Sequence, residues 1–185
     1  MIENDFIELN SRSVSNIIHR GGTILKTARS KEFMTADGMK KANENLIANG
    51  VDALVAVGGD GTFRGFTEFA KINADIKVIG TPGTIDNDLL GTDFTLGFDT
   101  AVNTVINAID KIRDTADSHH RLFFIEVMGR DSGCIALWSG IAGGAEAILL
   151  PEKEVSIDDR LLQQLQCCSI FSFLLLAVIA LSNHQ

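Results

Sequence analysis

The stretch from Gly58 to Asp88, GGDGTFRGFTEFAKINADIKVIGTPGTIDND, constrains the fold more than any other part of the chain. A short Val-rich apolar run, Asp52 to Gly58, leads into it and ends on paired glycines. Such a run reads as a fully buried parallel strand breaking into a turn. Gly58, Gly59 and Gly61 carry no Cβ, so the backbone can turn sharply and approach a ligand closely. Thr62 and Phe63 open a helical pattern whose free N–H groups aim into that turn and favour an anion, phosphate above all. A carboxylate at Asp60 repels phosphate. It makes sense with Mg²⁺ between the two, since Mg²⁺ takes one or two carboxylates together with phosphate oxygens.

A second strand, Ile76 to Ile79, runs into Gly80-Thr-Pro-Gly-Thr-Ile-Asp-Asn-Asp88. Strand, helix and strand form one βαβ unit, and both loops leave carboxyl ends of parallel strands. Asp60 and Asp86 are therefore expected to face one crevice. Asp60, Asp86 and Asp88 beside a phosphate cradle suggest a divalent metal plus a general base, the equipment of phosphoryl transfer.

Elsewhere the pattern alternates in the same way. Ser13 is expected to cap a short helix ending at Gly21-Gly22, with Thr23 to Ala28 a strand or extended loop. Thr35 to Asn49 reads as a helix with Ala42, Leu46 and Ile47 on one face. Phe98 to Ala116 is the longest expected helix, with Ala101, Val105, Ala108, Ile109 and Ile112 at helical spacing. The adjacent His119-His120 lacks the spacing of a metal pair and reads as loop. Arg121 to Val127 is a third buried strand, carrying Met128, Gly129 and Arg130 at its carboxyl end. Arg130 is expected to point toward the same crevice, where a guanidinium can hold a phosphate or steady charge on a transferring group. A helix from Asp131 to Ala142, with Trp138 in the core, precedes a strand from Ala147 to Leu150. This regularity predicts an α/β fold, an open doubly wound parallel sheet with helices on both faces.

The 185 residues allow one domain with a sizeable core, and a net charge of −8 argues against a nucleic-acid partner. Three cysteines, two of them adjacent at Cys167-Cys168, make no disulfide framework, and the N-terminus lacks the regions of a signal peptide. A cytoplasmic location fits. Asp158 to Gln166 reads as a helix start, after which Cys167 to Leu181 is apolar except for two serines. That run is shorter than the roughly twenty residues a membrane span needs. It is expected to find no place to pack.

GGDGT by itself is shared by several kinase families, NAD kinases and diacylglycerol kinases among them. GGDGT followed by PGTIDND and then by Met128-Gly129-Arg130 resembles 6-phosphofructokinase, from about Phe6 to about Leu165. The resemblance implies a Rossmann-like N-terminal-domain fold, located in the cytoplasm. It implies transfer of the γ-phosphoryl group of ATP to the 1-hydroxyl of fructose 6-phosphate with Mg²⁺. Residue by residue, Asp60 matches the metal-binding aspartate, and Gly58, Gly59, Gly61 and Thr62 match the nucleotide phosphate loop. Arg29 matches the ATP-contacting arginine, although Ser30 stands where an aromatic residue is usual. Asp86 matches the proton acceptor, with Thr84 and Asp88 its neighbours near the transferring phosphate. Met128, Gly129 and Arg130 match substrate contacts, and Arg121 matches an arginine that reaches the sugar phosphate of a neighbouring subunit. Arg12, Arg113, Gly144 and Glu146 resemble the allosteric effector site between subunits of a homo-oligomer, a tetramer in the intact family.

Pyrophosphate-dependent relatives carry GGDD and a lysine before the TIDND threonine, where this chain has Gly61 and Gly83, so ATP is the expected donor. Against the family pattern, residues 1–166 are expected to form a partial nucleotide and substrate domain lacking the first strand and its GGDxPG loop. Residues 167–185 are expected to be a non-homologous tail. Two origins of the tail stand: a translated frameshift or altered terminus, favoured by the loss of pattern, or a strand of the missing partner domain. Three readings of the whole follow: an ATP-dependent phosphofructokinase, an inactive truncated fragment with partial nucleotide binding, or a more distant GGDGT kinase.

Overall fold

A computed structural model describes residues 1–73, 75–119, 123–153 and 176–180, the side chains of 116–119 and 176–180 excepted. The chain is α/β and divides into two compact units, Met1–Thr81 and Pro82–Gln185.

In the first unit, α1 (Ala36–Ala48), β1 (Ala53–Gly58), α2 (Asp60–Ile72) and β2 (Lys77–Pro82, its last residue in the second unit) follow a 3₁₀ turn at Glu32–Met34. Thr35 caps α1, its hydroxyl accepting the Gly38 N–H at 3.1 Å. Gly50, at φ +69°, ends it, with the Val51 N–H returning to the Leu46 carbonyl. Ala42 and Leu46 of α1 meet Phe69 of α2 and Ile76 in a buried cluster. The rings of Phe33, Phe66 and Phe69 pack there with centroids 5.8 to 6.2 Å apart. The Asn45 amide donates to the carbonyls of Met1 and Ile2 and so pins the N-terminus to α1.

Two expectations for this unit are corrected. Strand β1 is not buried on both sides. Leu54 packs against the core cluster, whereas Val55, Val57 and Ile79 are 67%, 56% and 62% exposed. Alternate side chains of a strand point to opposite faces, and the α1–α2 layer covers only one of them. Secondly, the helix expected at Ser13–Arg20 does not form, while Thr23–Ala28 takes the loop alternative instead of a strand. The Asn10 side chain accepts the N–H groups of Arg12 and Ser13, and Thr23 accepts that of Leu25, so local turns replace regular structure. Asn16 and Lys26, both at φ +58°, complete the break.

The second unit contains α3 (Phe98–His119), β3 (Phe123–Val127), α4 (Cys134–Ala142), β4 (Ala147–Leu149) and β5 (Leu176–Ala180). Its sheet has the order β3-β5-β4, all parallel, with Val127 opposite Ala180 and Leu149 opposite Ile179. The described strands form a two-stranded and a three-stranded sheet. Phe98, Val102 and Ile109 of α3 meet Ile135 and Ala136 of α4 and Val127 of β3 in the core. Gly140 lets α4 lie directly on β4, since a Cβ there would stand 2.7 Å from Ile148.

Here too the structure departs from expectation. Trp138 is half exposed and meets Phe94 and Phe98 edge-on, at 6.0 and 6.1 Å, instead of filling the core. The larger departure is β5. Residues 176–180 belong to the apolar run expected to find no place to pack, yet they take the middle position of the sheet. A continuous Ala/Val/Ile run is what a central parallel strand requires. The helix expected at Asp158–Gln166 and the rest of the tail lie outside the described residues, as does His120. Among the described residues no helix is long and apolar enough to cross a membrane.

Candidate active site

The glycine-rich loop occupies the junction of β1 and α2. Helix α2 begins at Asp60, two residues before the expected start at Thr62, with Gly59 as its N-cap. No side chain caps it, so the free N–H groups of its first turn are unclaimed by a capping side chain and suit an anion. The Thr62 side chain folds back over Gly58, where a Cβ would stand only 2.7 Å from the Thr62 Cβ. Gly58 is thus required by close approach. Gly61 is different, for a Cβ there meets nothing within 4 Å and the space beside it is open. Asp60 pairs with Arg64 one turn along, Oδ2 to Nε at 2.9 Å, both side chains exposed.

The other candidate residues of the first unit stand apart from this loop in character. Arg12 lies in the Asn10 turn and Arg29 in the irregular segment before the 3₁₀ turn, both exposed. A cavity of about 540 Å³ walled by Phe63, Phe66, Ala70 and Val78 contains none of the residues singled out from the sequence. Among the described residues no cluster of three or more His, Cys, Asp or Glu could hold a metal ion. Mg²⁺ takes one or two carboxylates completed by phosphate oxygens and water. Asp60 at a helix start fits that role.

The acid loop belongs to the second unit. Its ends meet, the Leu96 N–H bonding to the Pro82 carbonyl at 2.8 Å. The Thr84 hydroxyl accepts the Asp86 N–H at 3.2 Å. Asn87, at φ +51°, sits between the two aspartates in a conformation that Asn tolerates better than most residues. Its side-chain oxygen accepts from the N–H and hydroxyl of Thr95, and its amide donates to the Asp93 carbonyl. Burial pushes the Asp86 carboxyl above the ordinary carboxylate range, nearby Asp88 adds to the rise, and Arg130 opposes it. Asp86 is half-buried and Asp88 exposed.

Arg130 itself holds a positive φ of +57°, after Gly129 at +154°. A turn closed by the Ser132 N–H on the Gly129 carbonyl keeps it there. Non-glycine residues in such conformations cost on the order of 1–3 kcal/mol and gather at functional sites. The Arg130 guanidinium lies 3.5 Å from Asp131, both exposed, and Met128 is exposed beside it. Asp86 thus has the Thr84 hydroxyl on its own N–H and the charges of Asp88 and Arg130 near its carboxyl. A half-buried carboxylate with a second acid and an arginine near it is chemically able to take a proton from a hydroxyl next to a bound phosphate.

The phosphofructokinase family profile matches residues 1–171. The chain belongs to the phosphofructokinase family. An ATP-dependent 6-phosphofructokinase of Cytophaga hutchinsonii is 60% identical over 152 residues, 82% of this chain and 46% of that protein. ATP-dependent 6-phosphofructokinase 1 of Thermus thermophilus is 60% identical over 155 residues, 84% of this chain and 48% of the relative. The chain spans about half the length of the curated relatives it matches. Among solved structures, Pichia pastoris phosphofructokinase in the T-state matches with a TM-score of 0.84 at 36% identity, over 93% of this chain and 20% of that one.

Of the residues that the phosphofructokinase resemblance assigns to an effector site, Arg113 and Gly144 are adjacent. A Cβ on Gly144, at φ +66°, would stand 3.1 Å from the Arg113 guanidinium. Glu146 is exposed two residues further on, and Arg12 belongs to the other unit. Arg121 lies outside the described residues. Sequence reasoning missed Asn87, Ser132 and Thr95. Only Asn87 carried a signal, as an Asn between two aspartates in a glycine-rich loop; Thr95 is defined by its bond to Asn87 within the loop, and Ser132 by a contact 46 positions away.

Proposed function

We propose that this chain is the nucleotide- and substrate-binding part of an ATP-dependent 6-phosphofructokinase, with residues 1–166 as that part. The enzyme moves the γ-phosphoryl group of ATP onto the 1-hydroxyl of fructose 6-phosphate and yields fructose 1,6-bisphosphate. The observation that carries this reading is Asp86, half-buried with its carboxyl pushed up, with Asp88 and Arg130 close enough to act on it. In this reading Asp86 accepts the hydroxyl proton as the new bond to phosphorus forms. Arg130, with Met128 and Gly129, holds the sugar phosphate, and Arg121 of a neighbouring subunit adds to it. Thr84 and Asp88 border the transferring group. Gly58, Gly59, Gly61 and Thr62 cradle the nucleotide phosphates through backbone N–H groups, and Arg29 contacts ATP. Asp60 holds Mg²⁺, which when bound neutralises charge on the phosphates.

The open space at Gly61 supports ATP over pyrophosphate, because a nucleotide needs room there for its α-phosphate. The family resemblance supports an effector site with Arg12, Arg113, Gly144 and Glu146 in a cytoplasmic homo-oligomer, and the Arg113 guanidinium lies beside Gly144. A coupled assay of the purified chain with Mg-ATP and fructose 6-phosphate tests the reading. Turnover within the usual kinase range of about 1–100 s⁻¹, absent in Asp86→Ala and weaker with pyrophosphate, is the expected result. Turnover no greater than that of the Asp86→Ala control overturns it.

A further inference from the structure

Ser132 stands at a junction that the proposed chemistry does not use. Its backbone N–H closes the turn that holds Arg130 at positive φ, bonding to the Gly129 carbonyl at 2.9 Å. Its side chain does something else. The hydroxyl donates to the Asp86 carbonyl at 2.8 Å, across 46 positions of chain, and accepts the Cys134 N–H at 3.4 Å. One residue along the acid loop, the Cys134 thiol approaches the Asn87 carbonyl at 4.0 Å. Two successive carbonyls of the acid loop are thus fastened to the entry of α4.

We propose that Ser132 is a positioning residue that ties the Asp86 loop to the Arg130 turn, so that base and guanidinium are held in one fixed relation. Its main chain sets Arg130 and its hydroxyl sets Asp86. Ser132 is buried, so water does not readily replace the bond when the hydroxyl is removed. The acid loop's other bonds, from Asn87 to Thr95 and Asp93, run within the loop and fix its shape, not its place. The bond that the hydroxyl accepts at the start of α4, from the Cys134 N–H at 3.4 Å, is longer than the 2.8 Å bond it donates to Asp86. The N-cap of that helix is Gly133, whose N–H is taken by the Glu152 carboxylate at 2.7 Å.

The anchoring stands on geometry alone, while its kinetic consequence rests on the proposed phosphoryl transfer. Ser132→Thr and Ser132→Val are close in shape and differ in the hydroxyl, so any packing cost is common to both. Hydrogen–deuterium exchange of the full chain, followed by mass spectrometry, compares peptides covering 84–96 with those of α1 and of the second half of α4. Loss of one net hydrogen bond is expected to speed exchange in the Val variant's loop about 5-fold, with Thr close to wild type and the reference peptides unchanged. Equal exchange in Thr and Val, or a rise spread over all peptides, overturns the proposal. Should Val not fold, Ser132→Ala removes the hydroxyl without added bulk and carries the same expectations. In the coupled assay, Val is expected to lower kcat about 10-fold, by more than it raises KM, with Thr restoring it, because small misplacements of reacting groups are costly. A wild-type chain without turnover overturns the proposed function and leaves the exchange comparison to decide the anchor.

Discussion

The glycine-rich loop of the first unit and the acid loop of the second differ in how they are held. The first is a local object. Gly58 makes room for Thr62, α2 starts at once, and the ion pair at its start, Asp60 to Arg64, spans a single helical turn. The acid loop is held by Asn87 reaching to Asp93 and Thr95 and by Ser132 and Cys134 reaching to it from another element. A phosphate cradle needs only backbone N–H groups pointing one way, which a helix start supplies by itself. A base must keep one carboxylate in place while partly stripped of water, and that takes side chains from elsewhere.

The largest effect expected from breaking this contrast is at Asp86. Asp86→Asn should cut turnover about 10²–10⁴-fold, the usual worth of a general base, with sugar-phosphate binding little changed. Its pH dependence has a definite sign. With the folded pKa raised, the base loses function as pH falls through that raised value. Stability runs the other way: the folded state binds the proton more readily, so this contribution is fully present below the unfolded pKa and lost as pH rises through the folded one. Chemical denaturation at neutral pH should therefore show Asp86→Asn slightly more stable than wild type, by less than about 1 kcal/mol after solvent screening.

Next come substitutions that test each loop's own support. Asn87→Ala gives up the Thr95 and Asp93 bonds and the tolerance of positive φ, and is expected to cost about 2 kcal/mol. Gly58→Ala drives a methyl into Thr62 and is expected to cost about 1–3 kcal/mol, whereas Gly61→Ala, with open space around it, should be neutral or mildly stabilising. Urea denaturation of the three variants checks the order. A Gly61→Ala change as costly as Gly58→Ala would contradict the open space read at that position.

Smaller again is the strain at Arg130. Both Arg130→Gly and Arg130→Ala remove the guanidinium, but only glycine adopts φ +57° freely, so Gly should be the more stable of the two by about 1 kcal/mol. Equal thermal stability would show that the turn carries no strain. The smallest effect is at Arg64. Its exposed pair with Asp60 is worth about 0.3 kcal/mol, so Arg64→Ala should barely shift the denaturation midpoint.

What could be read from the sequence is what depends on neighbours in the chain. The helix start at Thr35, the start of α2 two residues from Thr62, and the extents of α1 and α3 all appeared within a residue or three of their observed bounds, because capping and amphipathic spacing act over one or two turns. That Asp86 and Arg130 follow the ends of strands β2 and β3 was legible through motif and apolar pattern. Failure of local reading was itself local in cause, as where the Asn10 side chain claimed the backbone that a helix at Ser13–Arg20 needed. Tertiary structure alone decided three things. It exposed Val55, Val57 and Ile79, because burial depends on what covers a face and not on the residue presented. It seated Leu176–Ala180 between β3 and β4, because an apolar run specifies that it must pair but not with which strands. It brought Ser132 to the Asp86 carbonyl, because a hydrogen bond across 46 positions follows from the packing of α4 and leaves no periodic trace in the chain.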